Sequence, residues 1–593
     1  MHAIDQIIIL LYVGAMLVVG LCLRRRAAGS EESYFLANRR LPWWLLSMSG
    51  AVSTYDITGT MWVISLLYLY GVRSMWVHWL WGFMMGAFLM SYTGKWVRRS
   101  KVITGAQWMS TRFGTGREGE AARGVMTFMA VVFSVSVIAY AFTGIGKFAS
   151  QFLPWSKNTC GVLIIGVTTI YVVLGGMYSV AITDVIQTVV LTGAAIGLAV
   201  FAFLKADLAM IMEKVGEGWR SGWPASVAEK ATQGWDSIWP SWDMPFLMQN
   251  GVYIVGPFLV VWILKGTLLN AGGPAQLYDF QRFLSTRSAR DASKAGALWS
   301  FFLLSRWAMC IGIVVLGLTM LEPVFTVEHA EEVLPKVLRR IYLPIGLRGV
   351  ILAGFFAAFM STFDSTVNVS ASYIVEDFYK RFVRPNAGRR ELIYAAYAAS
   401  VLVVAIGIVI GLRQKTIAGI WRWIMMAYGA VALIPNVLRW YWWRFNGWGY
   451  TWGTVGGVVV LIVLTLCFPG WKDTRTFPII ASTSLVCSLL GTFLTRPTDR
   501  SVLEQFYKEV QPGGGWRPVA HSVRQKSPGF KKDCTFGIEL LNTALGIVLI
   551  TSLYMATVTV VLHKFSTVVP LLAVSVLTGS ILYFTWYRRL PKD

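Results

Sequence analysis

The stretch SGAVSTYDITGT, residues 49–60, decides the fold expected for this chain, because it interrupts an apolar segment long enough to cross a membrane. Glycine, serine and threonine cluster in it around one acid, Asp56. A broken helix is tolerated in a membrane only where it lines a cavity or is buried in protein. A second stretch, NAGGP at residues 270–274, combines two glycines with a proline, which disfavours a continuous helix.

Apolar segments of about 20 residues recur along the whole chain of 593 residues, and each is long enough to cross a bilayer. The two interrupted segments lie five spans apart, at matching positions of two five-span halves formed by spans two to six and seven to eleven. Paired interruptions predict an inverted-repeat transporter with a site near the middle of the membrane, the alternative being ordinary kinks in packed helices. The fifteen candidate spans are 4–23, 43–71, 76–95, 121–147, 159–177, 180–204, 249–281, 295–321, 346–378, 391–412, 417–438, 449–468, 476–494, 537–562 and 566–586.

Composition excludes a set of soluble domains, since 55% of residues are apolar, only 14% are charged, and the mean hydropathy is +0.57. The net charge of +23 fits basic loops on the cytoplasmic side better than a nucleic-acid partner, because most Lys and Arg residues fall in segments on one side. The first apolar run is followed by Arg24-Arg25-Arg26, the reverse of a cleavable signal. We therefore expect a multi-pass protein of the cell (inner) membrane, with its N-terminus outside and its C-terminus cytoplasmic.

The spans divide the chain into five parts. We expect an extra helix and inside loop at 1–42, a first five-helix repeat at 43–204, an extracellular loop at 205–248, a second repeat at 249–448 and C-terminal helices at 449–593. The outside loops 205–243 and 322–347 are expected to be solvated connectors, a surface helix or lid being the alternative. The inside loop 495–536 is expected to be a flexible tether.

Acids inside the spans are candidates for function, because a charge in the bilayer is costly unless it is paired or hydrated. They are Asp56, Asp184 and Asp364, and the alternatives are a helix cap for Asp184 and a structural acid for Asp364. Ser361, Asp364 and Ser365 share one helix face, and their hard oxygen atoms suit sodium better than a soft metal. Four basic residues also fall in spans or at their ends: Arg123, Lys265, Arg306 and Arg422.

Several motifs, in order along the chain, resemble the sodium:solute symporter family, which includes sodium/glucose, sodium/proline and sodium/sialic acid cotransporters. They are YFLANR at 34–39, YVVLGGMYS at 171–179, TDVIQ at 183–187, QRF at 281–283 and AFMSTFDS at 358–365. The resemblance runs from the first span to about the eleventh. It implies an all-α membrane fold with a LeuT-type inverted five-helix repeat core, here with extra N- and C-terminal helices and about fifteen transmembrane helices.

The resemblance also implies cation sites, with no other cofactor. The first sodium would be held by the carbonyls of Thr54, Ile57 and Ala358 and the hydroxyls of Ser361 and Thr362, with Asp56 beside it. A second cation site, found in some members, would use Asp184, Ser361, Asp364 and Ser365. Asp364 replaces a usual hydroxyl, so the site either binds its cation more strongly or carries a proton instead.

Candidates for solute contact or gating surround the two interruptions: Tyr55, Asp56, Trp62, Tyr140, Trp262, Asn270, Gly272, Gly273 and Trp421. Lys265 and Arg422 are the basic candidates for an anionic solute, snorkelling being the alternative. Sugar-transporting members have aromatic gates where this chain has Gly272-Gly273, which predicts a roomier cavity and disfavours a sugar.

The sequence thus predicts a sodium-coupled symporter of a small polar solute (a sugar, an amino acid or a carboxylate), whose partners are sodium, the solute and the lipid bilayer. A proton-coupled symporter of the same fold and a transporter-derived sensor are the alternatives. A membrane-embedded enzyme is disfavoured, because no catalytic triad, HExxH or nucleotide-binding loop is apparent in the sequence.

Overall fold

The computed structural model describes residues 2–27, 29–80, 84–221, 225–240, 256–273, 277–414 and 417–591, and every extended regular element among them is a helix. The N-terminal helices are α1 (Ala3–Ala27) and α2 (Glu31–Leu36), followed by a 3₁₀ turn (Ala37–Arg39). The first half of the core contains α3 (Trp43–Thr54), α4 (Ile57–Tyr70), a 3₁₀ segment (Val72–Leu80), α5 (Met85–Phe88), a π-helical turn (Leu89–Thr93), α6 (Gly94–Arg99), α7 (Gly105–Phe113), α8 (Arg117–Ala149) and α9 (Lys157–Lys205).

The second half of the core follows two helices on the intervening loop, α10 (Leu208–Arg220) and α11 (Ala225–Thr232). It contains α12 (Gly256–Ala271), α13 (Leu277–Leu284), α14 (Ala289–Phe302), α15 (Leu304–Met320), α16 (Val327–Glu331), α17 (Val333–Arg340), α18 (Leu347–Ile374), a π-helical segment (Val375–Val383), α19 (Arg389–Leu412), α20 (Ile417–Ile424), a π-helical segment (Met425–Ala430) and α21 (Leu433–Tyr441). The C-terminal helices are α22 (Gly447–Cys467), α23 (Asp473–Phe493), α24 (Arg500–Val510), α25 (Arg517–Lys526), α26 (Phe536–Val561) and α27 (Phe565–Thr585), with a final 3₁₀ turn (Tyr587–Arg589).

Both interrupted segments expected from the sequence are broken helices. Between α3 and α4 the helix stops at Tyr55 and restarts after Asp56. Between α12 and α13 it stops at Gly272 and Gly273, where Gly273 has a φ of +103°, and residues 274–276 lie outside the described part. The two breaks begin the two halves of the core, as an inverted repeat requires.

Helix α9 is too long to cross the membrane once. Its 49 residues would extend roughly 70 Å at 1.5 Å per residue, more than twice the hydrocarbon thickness. Gly176 divides it into two arms with a φ of +52°, a left-handed conformation that glycine adopts without penalty. A Cβ atom at this position would also lie 2.8 Å from the Tyr34 carbonyl oxygen, so the GG motif sits directly against the YFLANR motif.

The chain is a multi-pass membrane protein. Eleven helices of the described part are long and apolar enough to cross a bilayer. Large apolar side chains are exposed on outer helices, including Leu10 on α1, Val189 on α9, Leu466 on α22 and Val576 on α27, which is the surface that lipid requires. The total of about fifteen transmembrane helices stays a prediction. A broken helix is too short to be counted as a span, and a divided helix such as α9 is counted once.

Helix α18 is the centre of the core, and 94% of its apolar stretch is buried. It packs against α1, α3, α8 and α9, so its polar residues 361–365 face protein on every side. The hydroxyl and carboxylate groups of these residues are therefore held away from lipid, where they would be costly.

Three loops contain helices. In the loops 205–243 and 322–347 the described residues therefore fit the surface-helix alternative rather than the solvated connector, and the flexible tether expected at 495–536 is wrong. The first of these loops carries α10 and α11 and packs on the 3₁₀ segment, where Arg73 donates to the Ala231 carbonyl at 2.6 Å. The second carries α16 and α17, and Lys147 on α8 pairs with Glu331 on α16 at 2.8 Å. The loop 495–536 folds as α24 and α25, because its polar sequence also has apolar residues at helical spacing, such as Leu503 and Phe506, which are buried.

Candidate cation and solute site

The break between α3 and α4 leaves main-chain groups without helical partners. The Asp56 carboxylate caps α4 by accepting from the Gly59 N–H. The Tyr55 carbonyl accepts from the Thr60 hydroxyl at 2.6 Å, and the Thr54 carbonyl accepts from Nη1 of Arg306 at 2.9 Å. The break is thus stabilised by polar side chains, one of them a buried arginine that belongs to α15.

Helix α18 meets α3 next to this break. The Thr362 hydroxyl donates to the Ser53 carbonyl at 2.7 Å and lies 3.2 Å from the Ala358 carbonyl. The Ser361 and Ser53 hydroxyls are 3.1 Å apart. The predicted ligands on α18 therefore lie against Ser53, next to the predicted ligand Thr54, at a junction that is rich in buried oxygen atoms.

A second polar cluster surrounds the guanidinium of Arg282 on α13. Its Nε atom donates to the Ser49 hydroxyl at 2.9 Å, and its Nη2 atom donates to the Ser365 hydroxyl at 2.6 Å. Nη2 also donates to Ser53 and lies 3.4 Å from an oxygen of Asp184, which accepts from Ser49 as well. A positive side chain therefore lies among the residues predicted to hold a second cation.

Asp364 lies on the far side of this cluster. Tyr171, from the first arm of α9, donates its hydroxyl hydrogen to Asp364 at 2.9 Å. The Ser365 hydroxyl contacts the other carboxylate oxygen at 3.3 Å and also donates to the Ser361 carbonyl at 2.8 Å. Arg282 also lies 3.6 Å from a carboxylate oxygen of Asp279 on its own helix. Asp184, Asp279 and Asp364 are all fully buried, so three carboxylates surround one guanidinium in a protein interior.

Three of the aromatic candidates form one cluster beside the first break. The Trp421 ring on α20 lies 5.7 Å from the Trp62 ring on α4 and 5.5 Å from the Tyr140 ring on α8. A methyl group at Gly59 would lie 2.5 Å from a carboxylate oxygen of Asp56 and 3.1 Å from the Tyr140 hydroxyl. Glycine at position 59 thus leaves room for the carboxylate and the phenol to lie side by side.

The candidates at the second break are placed differently. Asn270 is buried and donates to the Gly266 carbonyl at 2.8 Å, while its own side-chain oxygen has no partner in the described structure. The Gly272 carbonyl accepts from the Trp440 indole at 2.9 Å, and Asn436 and Trp440 occupy the space beside the two glycines. The roomier cavity predicted there is therefore wrong, because the glycines allow α21 to pack closely instead.

Other predicted residues contribute less to the site. The Arg306 guanidinium carbon lies over the Tyr55 ring, 5.7 Å from the centre of that ring. Lys265 lies over the Phe477 ring at 4.1 Å, and Arg422 donates to the Trp471 carbonyl at 3.4 Å, so both face the C-terminal helices rather than the break. The side chain of Trp262 lies outside the described residues.

Sequence reasoning missed the two arginines that organise the site. Arg282 was noted only as part of the QRF motif, and Arg306 only as a basic residue within a span. The signal available was the cost of an intramembrane charge, which makes any such residue a functional candidate. What the sequence could not supply is the partner, since Arg306 meets the carbonyl of a residue 252 positions earlier.

The donor set fits a hard monovalent cation. In the part of the chain that the structure describes, no group of three or more His, Cys, Asp or Glu residues is arranged to hold a metal ion. The α3–α18 junction instead offers hydroxyl and main-chain oxygens next to a helix break, which is the chemistry by which transporters of this architecture bind sodium.

A membrane protein with two broken helices at the start of two matching five-helix halves, and with oxygen ligands at their junction, belongs to the class of secondary transporters. A model of the sodium:solute symporter family matches residues 34–457, so the chain belongs to that family. It is a sodium-coupled symporter of a small solute rather than an enzyme.

Its relatives are distant but cover most of the chain. It is 24% identical over 474 residues to the high-affinity proline transporter PutP of Bacillus subtilis, covering 78% of this chain and 89% of the relative. It is 26% identical over 515 residues to a sodium/mannose cotransporter of Bos taurus, covering 80% of this chain and 81% of the relative. Among solved structures, a Na⁺-coupled sialic acid symporter in a substrate-bound outward-open state matches with a TM-score of 0.64 and 19% identity, over 84% of this chain and 99% of that one. This likeness establishes the LeuT-type fold.

Proposed function

We propose that this symporter imports a small polar organic solute, namely a sugar, an amino acid or a carboxylate, into the cytoplasm by alternating access. The observation that carries the proposal is the contact of Ser361 and Thr362 on α18 with Ser53 at the broken helix. An ion bound across this contact joins the two halves of the core, so its binding energy can select one conformation over another. Relatives named for proline and mannose transport support the range of solutes.

We assign the first sodium to the carbonyls of Thr54, Ile57 and Ala358 and the hydroxyls of Ser361 and Thr362. The support is geometric, because the Thr362 hydroxyl lies 3.2 Å from the Ala358 carbonyl, and Ser53, which contacts both hydroxyls, adjoins Thr54. Sodium entering this junction replaces the hydrogen bonds that these oxygens now accept, including the one from Arg306 to the Thr54 carbonyl, with ion–dipole contacts. At a membrane potential of 100 mV, each sodium that enters contributes about 2.3 kcal/mol to solute accumulation.

The second cation site, formed by Asp184, Ser361, Asp364 and Ser365, requires a movement. Arg282 holds Ser365 and lies 3.4 Å from Asp184, so a cation can reach these oxygens only when the guanidinium withdraws. A second sodium would therefore bind in a different conformation from the first.

Proton coupling is a second candidate for the same cluster. Asp184, Asp279 and Asp364 are all buried, and a single guanidinium cannot neutralise three carboxylates. A proton on Asp364 would remove the excess charge, and Tyr171 and Ser365 are already in place as hydrogen-bond partners. Dependence of uptake on a pH gradient, measured with sodium equal on both sides, distinguishes this candidate from a second sodium.

For topology we propose that the N-terminus lies outside and the C-terminus in the cytoplasm of the cell membrane, with the repeats at 43–204 and 249–448. The basic residues Arg24-Arg25-Arg26 at the C-terminal end of α1 and those that follow α27 support this orientation. Uptake by proteoliposomes, driven by an inward sodium gradient and screened over sugars, amino acids and carboxylates, tests the function. The proposal fails if no solute of these classes is taken up faster with the gradient than without it.

A further inference from the structure

Two opposite charges lie at the first break without being bonded to each other. The Asp56 carboxylate caps α4, and the Arg306 guanidinium on α15 contacts the Thr54 carbonyl two residues away along the chain. The two groups interact electrostatically, but they form no ion pair in the described structure. Opposite charges this close inside a membrane protein gain by direct pairing, unless another partner takes the space between them.

The arginine has unused hydrogen-bonding capacity. Arg306 is 7% exposed, and its Nε–H group is buried with no hydrogen-bond partner in the described structure. A buried, unpartnered guanidinium N–H costs free energy, so binding a further acceptor there would be stabilising. A carboxylate is the acceptor whose geometry best matches a guanidinium, because it can accept two parallel hydrogen bonds.

The acid faces a different environment. Asp56 keeps partial exposure, as do Trp62 and Trp421, and the Tyr140 hydroxyl lies beside the carboxylate. An aromatic wall next to a carboxylate is the surrounding that an ammonium group favours, through a charge-assisted hydrogen bond and cation–π contact.

We propose that Arg306 and Asp56 bind the two charged ends of a zwitterionic solute, so that the substrate is an α-amino acid, its carboxylate on Arg306 and its ammonium group on Asp56. This assignment rests on the proposed function and narrows its three solute classes to one. It also gives the solute carboxylate to Arg306 rather than to Lys265 or Arg422, since those two contact Phe477 and Trp471 in the C-terminal part of the chain.

The same geometry links the solute to sodium. The Thr54 carbonyl that accepts from Arg306 is one of the oxygens assigned to the first sodium, and two positive charges on one oxygen repel each other. Sodium binding therefore releases the guanidinium from Thr54, and the free guanidinium becomes available to the carboxylate of the solute. Removing Arg306 is expected to weaken solute binding while strengthening the binding of sodium alone.

The test uses the full-length protein in lipid nanodiscs and begins with thermal stability. The probes are the twenty L-amino acids, D-glucose, D-mannose and lactate, each added with and without sodium. At least one amino acid should raise the melting temperature in a sodium-dependent way, and D-glucose, D-mannose and lactate should not. The inference is overturned if a sugar or lactate raises the melting temperature in a sodium-dependent way, or if none of the amino acids does. A sodium-dependent shift with a sugar or lactate leaves sodium coupling intact. No effect of sodium under any condition contradicts the proposed function itself.

Variants then locate the charges. In Arg306→Gln the half-saturating concentration of the best amino acid should rise about tenfold or more, as expected for the loss of a charge-assisted contact, while that of its decarboxylated amine stays unchanged. The half-saturating sodium concentration measured without solute should fall. Arg413→Gln, at an exposed position after α19, is the matched control and should change neither value. If Arg306→Gln does not fold, Arg306→Lys keeps the charge and loses the fork, so it should bind the amino acid more weakly than the wild type and bind the decarboxylated amine equally well. Equal weakening of both compounds, or weakening of neither, would overturn the inference.

Discussion

The Thr362 hydroxyl donates to the carbonyl of Ser53 at 2.7 Å, and thereby joins the middle of α18 to the end of α3 across 309 residues of sequence. The contact lies one residue before the helix break, where main-chain oxygens leave the helical pattern. Polar contacts inside a membrane protein are kept only where they are satisfied or used, and this one brings together groups from both halves of the core.

Substitution of the junction hydroxyls tests the first sodium site. Ser361→Ala and Thr362→Ala each remove one proposed ligand, so the sodium concentration for half-maximal uptake should rise about tenfold in each variant, the effect of one lost charge-assisted contact. Uptake by proteoliposomes over a range of sodium concentrations measures it. Thr465→Ala on the outer face of α22, where the hydroxyl donates only to the Leu461 carbonyl, is the control and should behave as the wild type. Unchanged sodium activation in both junction variants removes the proposed site.

Asp364→Asn addresses the second cation. The substitution keeps the size of the side chain and leaves Tyr171 a hydrogen-bond acceptor, but it removes the charge that attracts a cation. We expect the Hill coefficient for sodium to fall toward one, or the dependence on a pH gradient to vanish if the group carries a proton. A variant with the sodium Hill coefficient and the pH response of the wild type argues against both roles.

The pairing of Arg282 with Asp184 predicts a large effect on stability. Arg282→Gln leaves Asp184 and Asp279 without their ion-pair partner, and Asp364 is buried nearby. The substitution should destabilise the protein by about 3–5 kcal/mol, as removal of one partner of a buried pair does. Thermal denaturation in nanodiscs measures the effect. The double variant Arg282→Gln with Asp184→Asn should recover a substantial part of the loss, because it also removes one of the stranded charges. Additive losses would show that the two residues do not interact.

The packing of α24 on α25 should depend on pH. The Lys526 ammonium and the Ser522 hydroxyl hold the pKa of Glu504 below its ordinary value. A carboxyl whose pKa is lower in the folded state stabilises that state above its ordinary pKa, and the contribution is lost as the pH falls through the folded value. Limited proteolysis within 500–526 should therefore speed up as the pH falls below the ordinary pKa of a glutamate side chain. The Glu504→Gln variant should be cleaved at a rate that changes less with pH. Equal pH dependence in both proteins would rule out this contact as the cause.

Much of the core follows from local sequence. The break at 49–60 and the break at 270–274 were predictable because glycine, proline and hydroxyl residues weaken a helix through their own backbone and side chains. The helical face that carries Ser361, Asp364 and Ser365 followed from spacing alone. Each of these features is decided within a few residues of the chain.

Features that depend on distant partners were not predictable. The loop that contains α24 and α25 was expected to be flexible, because the burial of Leu503 and Phe506 needs surfaces from other helices. The pairing of Arg282 with Asp279 follows from their i, i+3 spacing. The guanidinium groups of Arg282 and Arg306 also reach residues more than 80 positions away, and no local pattern indicates those partners. The space beside Gly272 and Gly273 is filled by α21 for the same reason.

Direct binding of radioactive sodium to the purified protein, without any solute, measures occupation of the α3–α18 junction most simply. We expect saturable binding in the wild type and in the Thr465→Ala control, and its loss in the double variant Ser361→Ala with Thr362→Ala. Sodium binding of undiminished affinity and amount in the double variant, folded as judged by an unchanged melting temperature, would contradict the assignment of the coupling ion to this junction.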